Sequence, residues 1–397
     1  MAQLRRSSDG NNRGAPGSCR AGHHRGRYRL HVENTAAVHP VVGADSRVSS
    51  WRGGSSDTDD GDFDESRIRI RPHPRGTRPR TKTRPEHSDA TVGTVLAVDR
   101  GRYTVLIGEN STDERTLTAT RASELRHGSL VTGDRVDLVG DTTGGEGTLA
   151  RIVRVAPRRT VLRRSADDTD AIERIIVANA DQLLIVVAAR DPEPRVRLID
   201  RYLVAAYDAG IHPLLAMTKI DLADPTRFLA NFAGLDLTVF CSGTDTRPLA
   251  DIRAHLVGHT TVCVGHSGVG KSTLVNALVP GADRATGHVN ATTGRGRHTS
   301  SSTVSLRVQD ASHSPSTGWI IDTPGVRSFG LGHVNPRNIL GAFPDLAVVA
   351  EECPRGCTHL PSAPDCLLNE SLSAGTLGAH GQGRLDSLQR LLTTFSS

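Results

Sequence analysis

Between Thr91 and Val155 apolar and polar residues alternate in short runs separated by turn formers. Thr91–Val98, Arg102–Ile107, Glu114–Thr120, Asp134–Val139 and Gly147–Val155 each predict a strand, with Asp99–Gly101 turning the first pair. Short strands at this spacing predict a small closed barrel of the oligonucleotide-binding type. Tyr103 is the only aromatic residue in these strands. Contacts of such a barrel to nucleic acid would therefore run through phosphate and shape rather than base stacking. A barrel that only spaces other parts is the competing reading.

Further along, the pattern changes. Asp181–Ala189 is a continuous apolar run, as expected of a strand buried on both faces of a parallel sheet. Leu198, Ile199, Tyr202, Leu203 and Ala206 recur at helical spacing, and Gly210 ends that helix. His212–Met217, Leu235–Phe240, Val262–Val264 and Gly318–Asp322 read as further strands, and Gly383–Leu392 as an amphipathic helix carrying Arg384 and Arg390. Strands and helices in alternation predict an α/β domain.

Composition adds limits. The chain has 397 residues, enough for two or three domains, and its hydrophobic share of 37% is low. Residues 1–61 lack periodicity and read as a disordered tail, with an alternative translation start near Asp62. From Arg67 to Arg84 there are eight basic residues, no acidic one and three prolines. That segment is either a solvated linker or an extended arm lying along a phosphate backbone, where each contact releases counterions. The formal charge of +5 is compatible with a nucleic-acid partner. No run of 18 apolar residues and no signal-peptide core occurs, so the expectation is a cytoplasmic protein with no membrane partner.

The chemistry centres on Gly265, His266, Ser267, Gly268, Val269, Gly270, Lys271, Ser272 and Thr273, a glycine-rich turn between strand and helix with the spacing G-x4-G-K-S. Backbone N–H groups of such a turn converge on a phosphate, the lysine reaches the β- and γ-phosphates, and the serine offers an oxygen to Mg²⁺. Thr218, Lys219, Ile220 and Asp221 follow a strand. A carboxylate at Asp221 accepts from guanine N1–H and the N2 amino group, a donor pair adenine lacks, while the Lys219 stem covers the ring. The first residue of this tetrad is threonine rather than the more usual asparagine. Ser242 and Gly243 end another strand, where backbone N–H groups would read guanine O6.

Residues 287–302 are polar and rich in Gly, Thr and Arg, and a hydroxyl there would complete the Mg²⁺ shell. Asp322 ends a strand and would hold Mg²⁺, and the Gly325 N–H would sense the γ-phosphate. Val326 cannot orient water, so unassisted hydrolysis is expected to be slow. His298 either positions the nucleophile or is a structural loop histidine; Arg295 or Arg297 either offsets transition-state charge or contacts a polyanion. Cys353, Cys357, His359 and Cys366 supply three thiolates and an imidazole within 14 residues, the count and softness of a structural tetrahedral Zn²⁺ site.

Taken together, "TKID" at 218–221, "GHSGVGKST" at 265–273, "GRGRHTSS" at 294–301 and "DTPGVRSFG" at 322–330 resemble the ribosome small subunit-dependent GTPase A family. The resemblance covers residues from about 62 to 395. The chain order supports it, because the base-reading aspartate precedes the phosphate loop. The resemblance implies an OB-type β-barrel at 89–164 after a basic arm at 62–88, a circularly permuted P-loop GTPase domain at 165–338, and a zinc-binding helical domain at 339–397. It implies GTP hydrolysis to GDP, weak alone and stimulated by the 30S ribosomal subunit, with late maturation of that subunit as the task and 16S rRNA as a partner. It makes His298 the water-positioning residue beside catalytic Lys271, and Thr299 the switch threonine, with Ser300 and Ser301 where relatives often carry threonines. It maps the zinc ligands to Cys353, Cys357, His359 and Cys366, with one residue fewer than the commoner spacing between the first cysteines and one more before the last. A monomer is expected. The alternative is an RNA-binding assembly protein that uses GTP only as a regulatory ligand.

Overall fold

The computed structural model describes residues 87–123, 125, 129–165, 173–282, 303–309, 317–324, 329 and 331–396. The tail, the basic arm up to residue 86, and Arg295, Arg297, His298, Thr299, Ser300, Ser301, Gly325 and Val326 lie outside the described residues.

Strands β1 (Thr91–Asp99), β2 (Arg102–Ile107), β3 (Arg115–Arg121), β4 (Arg135–Gly140) and β5 (Ala150–Val155) appear where alternation predicts them, β2 with the same ends and the others with ends shifted by at most three residues. They pair in the order β1-β2-β3-β5-β4, and β1 also pairs with β4, which closes the barrel. Its interior is filled by the inward set, including Val95, Tyr103, Val105, Leu117, Val136, Leu138 and Ile152. Tyr103 is buried in that core, so no strand aromatic is left on the outer face. A hairpin of β6 (Val161–Ser165) and β7 (Glu173–Ala178) follows.

The second half is a doubly wound sheet. In chain order its elements are β8 (Gln182–Ala188), α1 (Val196–Asp208), β9 (His212–Thr218), α2 (Thr226–Leu229), β10 (Thr238–Cys241), α3 (Leu249–Leu256), β11 (Thr260–Val264), α4 (Lys271–Leu278), β12 (Val304–Gln309), β13 (Thr317–Asp322), α5 (Pro336–Gly341), α6 (Pro344–Ala350), α7 (Leu367–Ser373) and α8 (Gly381–Ser396). The strand order is β10-β9-β8-β11-β13-β12, parallel except for β12. Every residue of β8 is buried. Leu183, Ile185 and Val187 face a core completed by α1 and the C-terminal helices, while Leu184, Val186 and Ala188 face one completed by α3 and α4. From β8 the chain first builds outward through β9 and β10, then crosses back to place β11 on the other side of β8. Ligands of open α/β sheets bind at the carboxyl ends of the strands at such a reversal.

The C-terminal helices share this core rather than forming a separate one. Leu385, Leu388, Leu391 and Leu392 of α8 pack with Ile199, Tyr202 and Leu203 of α1. Polar ties fix the angle: Arg390 pairs with buried Asp200 at 3.2 Å and donates to the Asn231 carbonyl at 2.6 Å. Arg384 makes two 2.7 Å bonds to the Asp345 carboxylate.

Barrel and α/β sheet are continuous. Ala97 of β1 is the register partner of Val304 in β12, so eleven strands form one hydrogen-bonded sheet. The turn after β2 also rests on β12 and β13. Glu114 pairs with Arg307 at 2.6 Å, the Trp319 indole N–H donates to Glu109 at 2.6 Å, and the Arg307 guanidinium lies 4.9 Å from the Trp319 ring centre. At the other side Arg158 grips the fully buried Asp134 through two bonds of 2.6 and 2.8 Å. No helix among the described residues is long and apolar enough to cross a membrane.

Candidate functional site

The sheet delivers its polar motifs to one edge. Thr218 closes β9, Ser242 and Gly243 follow β10, the phosphate loop follows β11, and Asp322 closes β13. All four are carboxyl ends of parallel strands.

The phosphate loop depends on the size of its first glycine. A Cβ on Gly265 would sit 2.5 Å from the Val186 carbonyl oxygen, so the loop can leave β11 this close to β8 only without a side chain. At the other end Gly270, with φ of 91°, caps α4 in the left-handed region. Lys271, Ser272 and Thr273 then form the first turn of α4, so their N–H groups and the helix dipole favour an anion there. His266, Ser267 and Gly268 are exposed at the rim, and Val269 is buried beneath it. The Lys271 ammonium is paired with the Asp322 carboxylate, which is 2% exposed. Thr323 donates to the Cys263 carbonyl at 2.9 Å, tying the end of β13 to β11.

The turn at residues 218–221 is braced on the same loop. The Thr218 hydroxyl donates to the Val269 carbonyl at 2.5 Å. Threonine at this position therefore links the 218–221 turn to the 265–273 loop through its hydroxyl. Lys219 holds a left-handed φ of 54°, and its ammonium donates to the Asp191 carbonyl. A non-glycine residue in that region is strained, and such strain concentrates where a side chain must be aimed. Asp221 Oδ1 accepts the Thr244 N–H at 3.0 Å. The Ser242 N–H donates to the Met217 carbonyl at 2.8 Å, and the Gly243 N–H to the Thr246 carbonyl at 2.7 Å.

A cavity of about 200 Å³ joins these parts, with Thr218, Lys219, Asp221, Ser242, Gly243, Gly270 and Thr273 on its wall. Leu249, Leu274 and Ala277 give it an apolar side, and Thr244 and Arg247 complete it. The sequence reading missed Arg247, Thr244 and the Asp191 carbonyl. No local signal marks them: Asp191 is 28 residues from Lys219, and Arg247 lies in a loop whose direction only β10 and α3 set.

The cysteine cluster sits between α6 and α7. The ligand atoms of Cys353, Cys357, His359 and Cys366 all lie within 4.8 Å of one another. Tetrahedral zinc with Zn–S bonds near 2.3 Å would set sulfurs about 3.8 Å apart, so the cluster fits with a contraction of about 1 Å. Burial, followed by the neighbouring Cys366 and Cys353 sulfurs, pushes the Cys357 thiol up to about 11. A divalent cation would reverse that cost by compensating the thiolates. Burial lowers the His359 pKa, which favours the neutral imidazole a metal requires. Gln389 of α8 donates to the His359 carbonyl at 3.1 Å and to Asn369 at 2.9 Å, so the last helix buttresses the ligand loop.

Comparison with known proteins agrees with this arrangement. Residues 155–332 match the family model described as RsgA GTPase. The small ribosomal subunit biogenesis GTPase RsgA of Pseudomonas aeruginosa (strain LESB58) is 40% identical over 261 residues, 63% of this chain and 72% of that protein. The protein of the same name from Azotobacter vinelandii is 38% identical over 261 residues, covering 63% and 71%. Among solved structures, YjeQ from Thermotoga maritima superposes with a TM-score of 0.56 at 22% identity, covering 78% of this chain and 99% of that one. YloQ, described as a circularly permuted GTPase, gives a TM-score of 0.54 at 21% identity over 79% and 98%. These two share the fold. With that fold, the phosphate loop after β11 and the curated relatives' identity, the chain belongs to the RsgA family of GTPases.

Proposed function

We propose that this chain hydrolyses GTP to GDP and phosphate, binds the small (30S) ribosomal subunit through 16S rRNA, and assists its late maturation, with hydrolysis promoting release. The observation that carries the nucleotide part is the single cavity on which Asp221 and the start of α4 both open. Asp221 takes the guanine N1–H and N2 donors, and Lys219 covers the ring. Phosphates lie on the N–H groups of the 265–273 loop. Lys271 leaves Asp322 for the β- and γ-phosphate oxygens and stabilises the charge that develops there.

Mg²⁺ offsets phosphate charge when bound, and Ser272, Asp322 and Thr299 are its assigned protein ligands. His298 positions the attacking water, and the Gly325 N–H senses the γ-phosphate. Cys353, Cys357, His359 and Cys366 hold one structural Zn²⁺. The ribosomal part rests on the names of the curated relatives and on the barrel.

Phosphate release from GTP, measured with and without purified 30S subunits and with 50S as control, tests the proposal. Acceleration by 30S alone is expected. GTP bound on 30S with no phosphate released would replace hydrolysis by a purely regulatory role for the nucleotide.

A further inference from the structure

Guanine offers a reader two kinds of edge. N1–H and the N2 amino group donate, and next to them O6 and N7 accept side by side. Asp221 can serve the donor edge. The acceptor edge needs donors, and the backbone N–H groups of residues 242–244 are already committed.

The Ser242, Gly243 and Thr244 N–H groups are held by the Met217 carbonyl, the Thr246 carbonyl and Asp221 Oδ1 at 2.8, 2.7 and 3.0 Å. The Thr218 hydroxyl is committed to Val269, and the Lys219 ammonium is held at the Asp191 carbonyl. Hydroxyls of Ser242, Thr244 and Thr273 remain on the wall, each able to donate one hydrogen bond. Arg247 is on the same wall. It is exposed, and its guanidinium has no hydrogen-bond or ion-pair partner among the described residues. Two parallel donors on a planar fork are what the O6/N7 pair matches.

We propose that Arg247 is a base-reading residue, donating to guanine O6 and N7 while Asp221 accepts from N1 and N2. The inference rests on the guanine reading given above and adds the second half of its recognition. Asp221 alone would distinguish guanine from adenine by its donors. Arg247 makes the site sensitive to N7, and its positive charge meets an edge of acceptors at the open side of the cavity.

The test is equilibrium binding of GDP, 7-deaza-GDP, IDP and ADP to the full chain, to Arg247→Ala and to Arg247→Lys. Thermal unfolding of each serves as a check that the exposed substitution leaves the fold intact. The unaltered protein should bind 7-deaza-GDP, which lacks the N7 acceptor, several-fold more weakly than GDP. Arg247→Ala should lose roughly tenfold in GDP affinity and no longer distinguish GDP from 7-deaza-GDP. Arg247→Lys, with a point charge in place of a fork, should recover only part of the loss. The penalty for IDP, which lacks the 2-amino group, belongs to Asp221 and should be the same in all three proteins.

Unchanged GDP affinity in Arg247→Ala, or a 7-deaza penalty that survives the substitution, would overturn the assignment. ADP binding to the unaltered protein as tightly as GDP is a separate result and would sink the guanine reading itself.

Discussion

The hydroxyl of Thr218 donates to the carbonyl of Val269 across 51 residues of sequence, at 2.5 Å. That bond joins the turn on the wall of the cavity to the glycine-rich loop after β11. Thr218→Val keeps the shape and removes the donor, leaving a buried carbonyl without its partner. A loss of about 1–3 kcal/mol in stability is expected, with weaker binding of GDP and GTP alike. Thr218→Ser should behave as the unaltered protein. Urea denaturation beside nucleotide titration checks both, and a valine variant with normal stability and affinity would show the bond to be incidental.

Lys271 and Asp322 are both largely buried, and each neutralises the other before nucleotide arrives. Removing one partner of such a pair leaves a buried charge uncompensated, at a cost of about 3 kcal/mol. Lys271→Met and Asp322→Asn should each lower the urea midpoint of the nucleotide-free protein. The double variant should regain a large part of that loss while binding GTP poorly. Strictly additive losses would mean that the two groups act independently.

Asp200 is 1% exposed, and burial raises its pKa above the ordinary carboxylate range despite the opposing pull of Arg390. A carboxyl group with a raised folded-state pKa contributes stability in full below its unfolded value and loses it as pH rises through the folded value. Arg390 offsets that loss at neutral pH. In Arg390→Ala the offset is gone and the folded-state pKa rises further. The variant's deficit should therefore be largest near pH 7 and shrink as pH falls below the folded-state pKa of Asp200. Urea midpoints of both proteins from pH 8 down to about 5 give the comparison. A deficit that does not vary with pH would assign it to the other contacts of Arg390, its bond to the Asn231 carbonyl and its place 5.3 Å from the Phe232 ring centre.

The cysteine cluster is expected to hold one zinc per chain, readable by elemental analysis. Chelation or Cys366→Ser should lower the unfolding temperature. It should also speed amide exchange in residues 351–373 and in α8, which touches the ligand loop through Gln389. Exchange unchanged after complete metal loss would argue that the loop is held by its own packing.

Much of the fold is legible in the sequence because period and punctuation agree. The alternation in β1 to β5 matches residues that bury one face, and the apolar run of β8 matches a strand covered on both. The phosphate loop is legible for the same reason: its spacing and its glycines are local requirements, met within eight residues. What is not legible is what depends on partners far apart in sequence. Leu385 to Leu392 read as an amphipathic helix, but nothing local says that their apolar face completes the core around Ile199 and Tyr202. Arg247 carries no motif, and it joins the base cavity only because β10 and α3 bring its loop beside Asp221. Trp319 reads as a strand residue; its bond to Glu109, 210 residues away, exists only once the barrel is docked.

Ala97, Val304 and Asp322 are register partners in one row across β1, β12 and β13. Two strand spacings, roughly 10 Å, separate the barrel wall from the carboxylate that faces Lys271. One register pair, Ala97 with Val304, joins β1 to β12, and the Glu114–Arg307 and Glu109–Trp319 contacts brace the same junction. A load that tilted the barrel would meet the strand ending at that carboxylate through this one backbone contact and the side chains set beside it.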